Sequence, residues 1–260
     1  MDTGYNEDGV CIFEEDWDNL IILDAGRFDY FQELCDMDGE LEYRESRGST
    51  SKQFIRGNFQ DDQLDTVYVS ANFWYAELKD ELGDIHKFVR TERDEVDGMT
   101  SSPEAVTAKA REVNDSHPNK RLIVHYMQPH QPYLAGRGDD IDHCSCLDAT
   151  ILDNDLSEAD VREAYRDNFE FALSHVSRLV ESLRGKTVIT ADHGELLNDR
   201  ESPIPIRGYG HPESIFVDEL VKVPWFVIEN GPRKEITAAS DSAPVDTEGV
   251  EQNLKDLGYL

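Results

Sequence analysis

Positive charge is scarce in this sequence of 260 residues. Lys and Arg together number 25 against 55 Asp and Glu, which gives a formal net charge of -30 at pH 7. A field of this sign repels nucleic-acid phosphates and anionic lipid head groups, so we expect neither as a general partner. The acidic residues are spread along the chain and not gathered in a tail. This distribution is typical of the solvated surface of a salt-adapted protein, such as those of halophilic archaea.

Cysteine pairs, long apolar runs and a basic leader are also missing. The four cysteines, Cys11, Cys35, Cys144 and Cys146, are too few and too irregularly spaced for a disulfide framework, and no second thiol pair complements residues 144 to 146 at zinc-like spacing. No apolar run is long enough to span a bilayer. The acidic start, MDTGYNEDGV, lacks the character of a secretion signal. We therefore expect a reduced, cytoplasmic protein without a membrane span.

Strand-like and helix-like patterns alternate along the chain, which indicates an α/β fold with a mostly parallel central sheet flanked by helices. Continuous apolar runs predict strands that are buried on both faces. There are five such runs, at residues 19–26, 66–72, 120–127, 186–192 and 223–228. Ser102 before Pro103, and Ser157 three residues before Asp160, predict two helix starts. We expect one domain over residues 1–228, then a linker and a short C-terminal helix within 229–260.

Polar residues collect where the predicted strands end, and ligands of open α/β sheets bind beyond the carboxyl ends of the strands. These residues are Asp24, His125, Gln128, His130, Asp192, His193, Glu195 and, shortly before the fifth strand, His211. A single Asp in such a place is usually a helix cap, and a single His is usually a satisfied polar residue. Oxygen and imidazole donors on several strand ends instead predict one shared divalent cation: Mn²⁺, Zn²⁺, Mg²⁺ or Ca²⁺.

A nucleophile for metal-assisted chemistry is offered by residues 46–59, SRGSTSKQFIRGNF. Gly48 permits a tight turn, three hydroxyl residues (Ser49, Thr50 and Ser51) follow, and the rest can form a short helix. Taken alone, the segment is best interpreted as an ordinary helix cap. Beside a metal site, the same hydroxyls would stand at a helix N-terminus whose amides can hold an anion.

The order of these motifs resembles that of sulfatase-like members of the alkaline phosphatase superfamily, of haloarchaeal type. The resemblance runs from about residue 17 to 228 and includes LDAGRFDYF, QPHQPY, TADHGE and GHPESIFVDELVKVP. Its most specific part is ADHGE, followed by a Gly-His pair and ELVKVPWFVI. It implies an alkaline phosphatase-like catalytic domain over residues 1–228, and thus an ester hydrolase or a phosphotransferase.

The resemblance also implies roles for individual residues. Asp24, Asp192 and His193 match the positions that ligate the catalytic metal. Thr50 matches the nucleophile, because GSTSKQF is similar to the Gly-x-Thr-Ser segment of the lipoteichoic acid synthase branch. In that branch the threonine attacks phosphorus and is itself bound to the metal.

Two histidines complete the implied catalytic set. His130 matches the histidine that contacts the substrate anion or the leaving group. His211 falls where relatives carry a histidine or lysine facing that anion, or a ligand of a second metal. Bimetallic phosphatases have an Asp where this chain has Gln128, so a second metal stays open.

The function implied is metal-dependent hydrolysis or transfer of a phosphate ester of a small molecule or glycan. A sulfate ester is a weaker expectation, because the chain lacks the Cys/Ser-x-Pro-x-Arg signature of formylglycine sulfatases. The alternative is a non-catalytic domain that keeps the fold and binds an anionic glycan or a partner protein. A calcium-binding structural domain would fit the acidity but would leave the histidines unexplained.

Overall fold

The computed structural model describes residues 4–93, 95–199 and 207–245. Its strands are β1 Asn19–Leu23, β2 Glu40–Glu45, β3 Gln63–Ser70, β4 Ile85–Arg90, β5 Arg121–Tyr126, β6 Gly185–Ala191, β7 Leu196–Leu197, β8 Tyr209–Gly210 and β9 Lys222–Asn230. Seven of them form one sheet in the order β2-β9-β6-β1-β5-β3-β4, and β7 pairs with β8. Strand β9 runs antiparallel to β6 and β2, whereas the other pairs in the large sheet are parallel. The predicted α/β class with a mostly parallel sheet is confirmed.

The helices are α1 Phe28–Leu34, α2 Ser51–Asn58, α3 Trp74–Glu77, α4 Pro103–Ser116, α5 Leu147–Asp153, α6 Glu158–Val180 and α7 Asp218–Val221. Short 3-10 turns cover Ile12–Glu14, Lys79–Glu81, Val96–Gly98 and Gly136–Asp140. Helix α4 begins with Ser102 as its cap, and α6 begins with a capping box between Ser157 and Asp160, as the sequence predicts.

Strand β1 lies in the middle of the sheet and is buried along its whole length. Ile21 and Leu23 pack in the core that α1, α4 and α6 cover, whereas Leu20 and Ile22 pack in the core under α2 and α3. Successive side chains of a strand point to opposite faces, so a strand between two helical layers needs apolar residues at every position. The five apolar runs in the sequence correspond to β1, β3, β5, β6 and β9.

The two edge strands, β2 and β4, were missed by the sequence pattern. Strand β2 has the sequence ELEYRE and is largely exposed, so it carries charge where a central strand carries apolar residues. Strand β4, IHKFVR, buries only Ile85 and Phe88. Edge strands face solvent along one side, and charged residues there discourage pairing with other chains.

Residues 231–245, which follow β9, run along the sheet without regular secondary structure. Thr237 N donates to Asn119 O, Ala239 N to Leu64 O and Ala243 N to His86 O, at 2.9 to 3.0 Å. These bonds hold much of the expected linker against the loops and strands around β3, β4 and β5. The predicted C-terminal helix, at about residues 247–258, lies outside the described residues. Within the described part of the chain, none of the helices combines the length and the apolar character needed to cross a bilayer.

Candidate active site

Asp24 and Asp192 stand side by side because β1 and β6 are parallel neighbours. Leu23 is in register with Ala191, so the next residue of each strand leaves the same edge of the sheet. Both carboxylates are fully buried. Asn72 Nδ2 donates to Asp24 Oδ2 at 2.8 Å, and Ala25 N donates to Asp192 Oδ1 at 3.1 Å. Asp24 Oδ1 and Asp192 Oδ2 have no hydrogen-bond partner among the described residues.

His193 faces these two unpartnered oxygen atoms. Its Nε2 lies 3.6 Å from Asp24 Oδ1 and 3.6 Å from Asp192 Oδ2. Its Nδ1 lies 2.7 Å from Gly194 O, a contact that requires the ring proton on Nδ1 and leaves the Nε2 lone pair directed at the carboxylates. Burial lowers the pKa of His193, which favours this neutral, ligand-competent form. The structure thus brings together Asp24, Asp192 and His193, three of the four residues that the sequence predicts as metal ligands.

His125, on β5, joins the same group; the sequence placed it among the strand-end residues of a shared cation site but did not name it as an individual ligand. Its Nε2 lies 3.5 Å from Asp192 Oδ2 and 3.8 Å from Asp24 Oδ2, and it has no hydrogen-bond partner among the described residues. Its Nδ1 lies 2.8 Å from Tyr68 Oη. The signal in the sequence was a histidine within the largely apolar strand KRLIVHYM. A buried imidazole needs polar partners, because burying an unpaired polar group costs free energy.

The charges of this group fit a divalent cation. Burial, together with repulsion from Asp192, raises the pKa of Asp24 well above its ordinary value. Burial would also raise the pKa of Asp192, but His193 and His125 hold it below its ordinary value. One donor atom each from Asp24, His125 and Asp192 lies within 4.8 Å of the others. Buried carboxylates so close together need a counter-charge, and mixed oxygen and imidazole donors suit a divalent metal.

The hydroxyls at the start of α2 occupy different places. Thr50 is the N-cap: Gln53 N donates to its Oγ1 at 3.3 Å, and the side chain lines an open cleft. Ser51 is fully buried, and its Oγ donates to Asp24 Oδ2 at 3.2 Å and lies 3.4 Å from His193 Nε2. The contact of Ser51 with predicted metal ligands was not foreseen.

A second cluster lies next to the first and consists of His130, Glu195 and His211. One donor atom from each lies within 4.8 Å of the others, and His211 Nδ1 is 3.3 Å from Glu195 Oε1. The rings of His211 and His193 have centroids 4.5 Å apart, so the two clusters adjoin. The sequence placed Glu195 among the strand-end polar residues but did not predict a separate cluster with His130 and His211.

The pKa values of the two histidines in the second cluster are shifted in opposite directions. Burial and the charge of His211 lower the pKa of His130 to about 4. Burial also opposes a charge on His211, but the adjacent Glu195 carboxylate raises the pKa of His211 above its ordinary value. The pair therefore offers one neutral imidazole and one that readily carries a proton.

An open cleft of about 410 Å³ gives access to the second cluster. Its lining includes Thr50, Lys52, Trp74, His130, Glu195 and His211. Lys52 Nζ lies 5.3 Å from the centroid of the Trp74 ring. The predicted nucleophile and both predicted anion contacts thus face one space, with the predicted metal ligands buried behind it.

Arg27 and Gln128, which follow the carboxyl ends of β1 and β5, are held in other contacts. Arg27 pairs with Asp29 and Asp199, at 2.8 and 2.5 Å, and does not line the cleft. Gln128, which replaces the aspartate of bimetallic phosphatases, donates to Ser101 O at 3.2 Å.

Comparison with solved structures identifies the architecture. The C-terminal periplasmic domain of phosphoethanolamine transferase EptC from Campylobacter jejuni has a TM-score of 0.54 and 12% identity, over 81% of this chain and 78% of that one. Lipooligosaccharide phosphoethanolamine transferase A from Neisseria meningitidis gives 0.51 and 13%, over 80% of this chain. The match spans only 47% of the meningococcal protein.

A protein of the alkaline phosphatase superfamily from Vibrio parahaemolyticus gives a TM-score of 0.50 and 14% identity, over 88% of this chain and 62% of that one. Neither the family models nor the curated protein sequences match this chain. The likeness is therefore one of structure and not of detectable sequence. It confirms the resemblance at the level of architecture: the chain has the fold of the alkaline phosphatase superfamily.

Proposed function

We propose that this protein is a divalent-metal-dependent hydrolase or transferase of phosphate esters, with Thr50 as its nucleophile. The observation that carries the proposal is the convergence of three buried, unpartnered atoms, Asp24 Oδ1, His125 Nε2 and Asp192 Oδ2, at the carboxyl edge of the sheet. Asp24, Asp192 and His193 would hold the ion, with Thr50 as a further ligand. A divalent ion in this place supplies Lewis acidity: it lowers the pKa of a hydroxyl and neutralises charge on phosphoryl oxygens.

Thr50 is preferred to Ser51 as the nucleophile because a substrate must reach it. Thr50 lines the cleft and is 8% exposed, whereas Ser51 is 0% exposed and is absent from the cleft lining. Thr50 Oγ1 forms a bond to phosphorus as the bond to the leaving oxygen breaks. The threonine proton passes to water, and the departing alcohol takes up a proton. Water or an acceptor alcohol then attacks phosphorus, and Thr50 recovers its hydroxyl.

His130 and His211 hold the non-bridging oxygens in this proposal. Both line the cleft on the side of the second cluster. Glu195 favours the protonated form of His211, which makes that ring a charged donor to an anion. A buried, pre-positioned donor stabilises charge that develops during reaction without reorganising solvent.

The choice of a phosphate ester draws on the sequence and on the structural neighbours. The chain lacks the formylglycine signature of sulfatases. The neighbours from Campylobacter and Neisseria are named as phosphoethanolamine transferases, and an EptC domain from Escherichia coli, with a TM-score of 0.50, was solved in complex with Zn. These names support phosphoryl transfer as the reaction class and zinc as the first metal to test.

The experiment is a turnover screen of the full chain after chelation, with Zn²⁺, Mn²⁺, Mg²⁺ and Ca²⁺ added separately. Aryl phosphate monoesters, phosphate diesters and aryl sulfates are the substrates. We expect turnover of a phosphate ester that requires one of the metals and is lost in Asp192→Asn, with the fold checked by circular dichroism. Metal binding by calorimetry without turnover of any ester would instead support the non-catalytic alternative.

A further inference from the structure

A basic groove of about 800 Å³ lies along the edge strand β4, outside the catalytic cleft. Its four cationic side chains are those of Lys87, Arg90, Arg93 and Lys109. Two carboxylates, those of Glu92 and Glu112, also line it. Among the described residues that line this groove, basic ones thus outnumber acidic ones, whereas in the whole chain acidic residues outnumber basic ones by 55 to 25. The net charge of the described groove lining is therefore opposite in sign to that of the whole chain.

The four cations come from two segments, residues 87–93 and α4, that the fold brings together. Lys87 and Arg90 belong to β4, Arg93 follows that strand, and Lys109 lies on α4. All four are half-buried, so their charges are screened by salt less than those of fully exposed side chains. Lys109 Nζ also lies 2.6 Å from the exposed Glu112 carboxylate, a surface ion pair that contributes little stability.

One short connection, residues 72–74, separates the groove from the catalytic cleft. On the groove side, the guanidinium carbons of Arg93 and Arg90 lie 4.2 and 5.4 Å from the centroid of the Phe73 ring. On the cleft side, Trp74 lines the wall and Lys52 Nζ lies 5.3 Å from its ring. The two adjacent aromatic residues therefore have cationic groups on both sides.

The register of the sheet gives the distance between groove and site. Arg90 pairs with Ser70 on β3, and Ser70 pairs with His125 on β5. Adjacent strands are about 4.8 Å apart, so the backbone of Arg90 is about 10 Å from that of His125, at the same carboxyl edge. A ligand about the size of a disaccharide phosphate spans such a distance.

We propose that this groove is an anion subsite that binds a second charged group of the substrate or acceptor, while the first occupies the catalytic cleft. The inference rests on the proposed function for the identity of the first group. Guanidinium groups bind phosphate, sulfate and carboxylate oxygens through paired hydrogen bonds, and the lysines add point charges. The ligand class is a small glycan or polyol with at least two anionic groups, because the acidic remainder of the surface repels a long polyanion.

The test measures binding separately from catalysis. Inorganic tripolyphosphate is titrated into the metal-free full chain by calorimetry, so that metal chelation does not contribute. In Arg90→Gln/Lys109→Gln we expect Kd to rise about tenfold or more, since two charge-assisted contacts are lost. The matched control is Arg166→Gln/Lys186→Gln, which removes the same net charge from exposed ion pairs outside the groove. There we expect Kd to change by no more than about twofold.

If Arg90→Gln/Lys109→Gln does not fold, Lys87→Gln/Lys109→Gln replaces it in the same titration. Absence of tripolyphosphate binding, or equal loss in the control, overturns the subsite and indicates that the basic residues serve only to protect an edge strand. Selective loss in a protein that turns over no ester supports the subsite while refuting the proposed reaction. If an ester is turned over, the groove variants should keep kcat/KM for a singly charged aryl phosphate.

Discussion

At the scale of single residues, two adjacent hydroxyls at the start of α2 have different surroundings. Thr50 caps the helix and faces the cleft, whereas Ser51 is buried against Asp24 and His193. A hydroxyl that contacts only buried groups can orient them but cannot meet a substrate. We therefore expect Thr50 to react and Ser51 to position the carboxylate of Asp24.

The corresponding prediction compares Thr50→Ala, Thr50→Ser and Ser51→Ala. Thr50→Ala should lower kcat by about a thousandfold or more, because the nucleophile is gone, with metal affinity by calorimetry largely kept. Thr50→Ser keeps a hydroxyl and the helix cap, and it should retain substantial activity. Ser51→Ala should cost only about 1 kcal/mol, the value of one hydrogen bond.

These variants need a folding control, and two results would contradict the assignment of Thr50. Thr50→Ala will lose a cap, worth about 1 kcal/mol of stability, so thermal unfolding must show that each variant is folded at the assay temperature. If Ser51→Ala abolishes turnover and Thr50→Ala does not, the nucleophile is Ser51. Full activity in both would exclude a covalent intermediate on Thr50 or Ser51.

At the scale of elements, the segment after β9 places a lysine in a confined setting. Lys234 Nζ donates to Asn114 Oδ1 at 2.9 Å and to Lys120 O at 3.3 Å. Burial lowers the pKa of Lys234 from 10.5 to about 8, although Asp18 opposes the shift. A base with a lowered pKa in the folded state binds its proton more tightly when the chain unfolds.

The difference between the folded and unfolded pKa of Lys234 makes its contribution to stability depend on pH. Between pH 8 and 10.5 the unfolded chain keeps the Lys234 proton and the folded chain releases it, so the contribution of Lys234 to stability should rise with pH across this window. The rise is at most about 3 kcal/mol, from 1.36 kcal/mol per pKa unit. Lys234→Met should lose this rise in denaturant titrations, whereas Lys109→Met, at a more exposed lysine, should keep it. Parallel pH profiles for wild type and Lys234→Met would contradict the shift.

At the scale of the whole molecule, the net charge of -30 dominates the response to solvent. Like charges repel across the folded surface, and the screening length falls from about 10 Å at 0.1 M salt to about 3 Å at 1 M. Ion pairs such as Arg233 with Asp16 are few relative to the acidic residues they would need to balance. The folded state therefore carries a repulsion that salt can relieve.

We predict that the melting temperature rises as KCl increases from low to molar concentration, with metal held saturating. A sucrose series of equal osmolality serves as the control, because it lacks ions and does not screen charge. The salt series should exceed the sucrose series. A melting temperature that stays flat or falls with KCl would contradict salt adaptation.

The sequence by itself determined the central strands and placed Asp24, Asp192 and His193 at one edge of the sheet. Strands buried on both faces must be apolar at every position, so their pattern is legible without a structure. Parallel neighbours end at one edge, and this is why Asp24, Asp192 and His193 could be placed together from sequence. Their role as metal ligands stays a prediction.

Only the tertiary structure decided what surrounds that cluster. Edge strands β2 and β4 lack an apolar signature because solvent covers one side of them. Ser51 rather than Thr50 contacts Asp24, and His125 lies against Asp24 and Asp192, although the sequence did not name it as a ligand. The basic groove draws its charges from β4 and α4, segments 13 or more residues apart. Such contacts depend on long-range packing, which no local period or spacing in a sequence records.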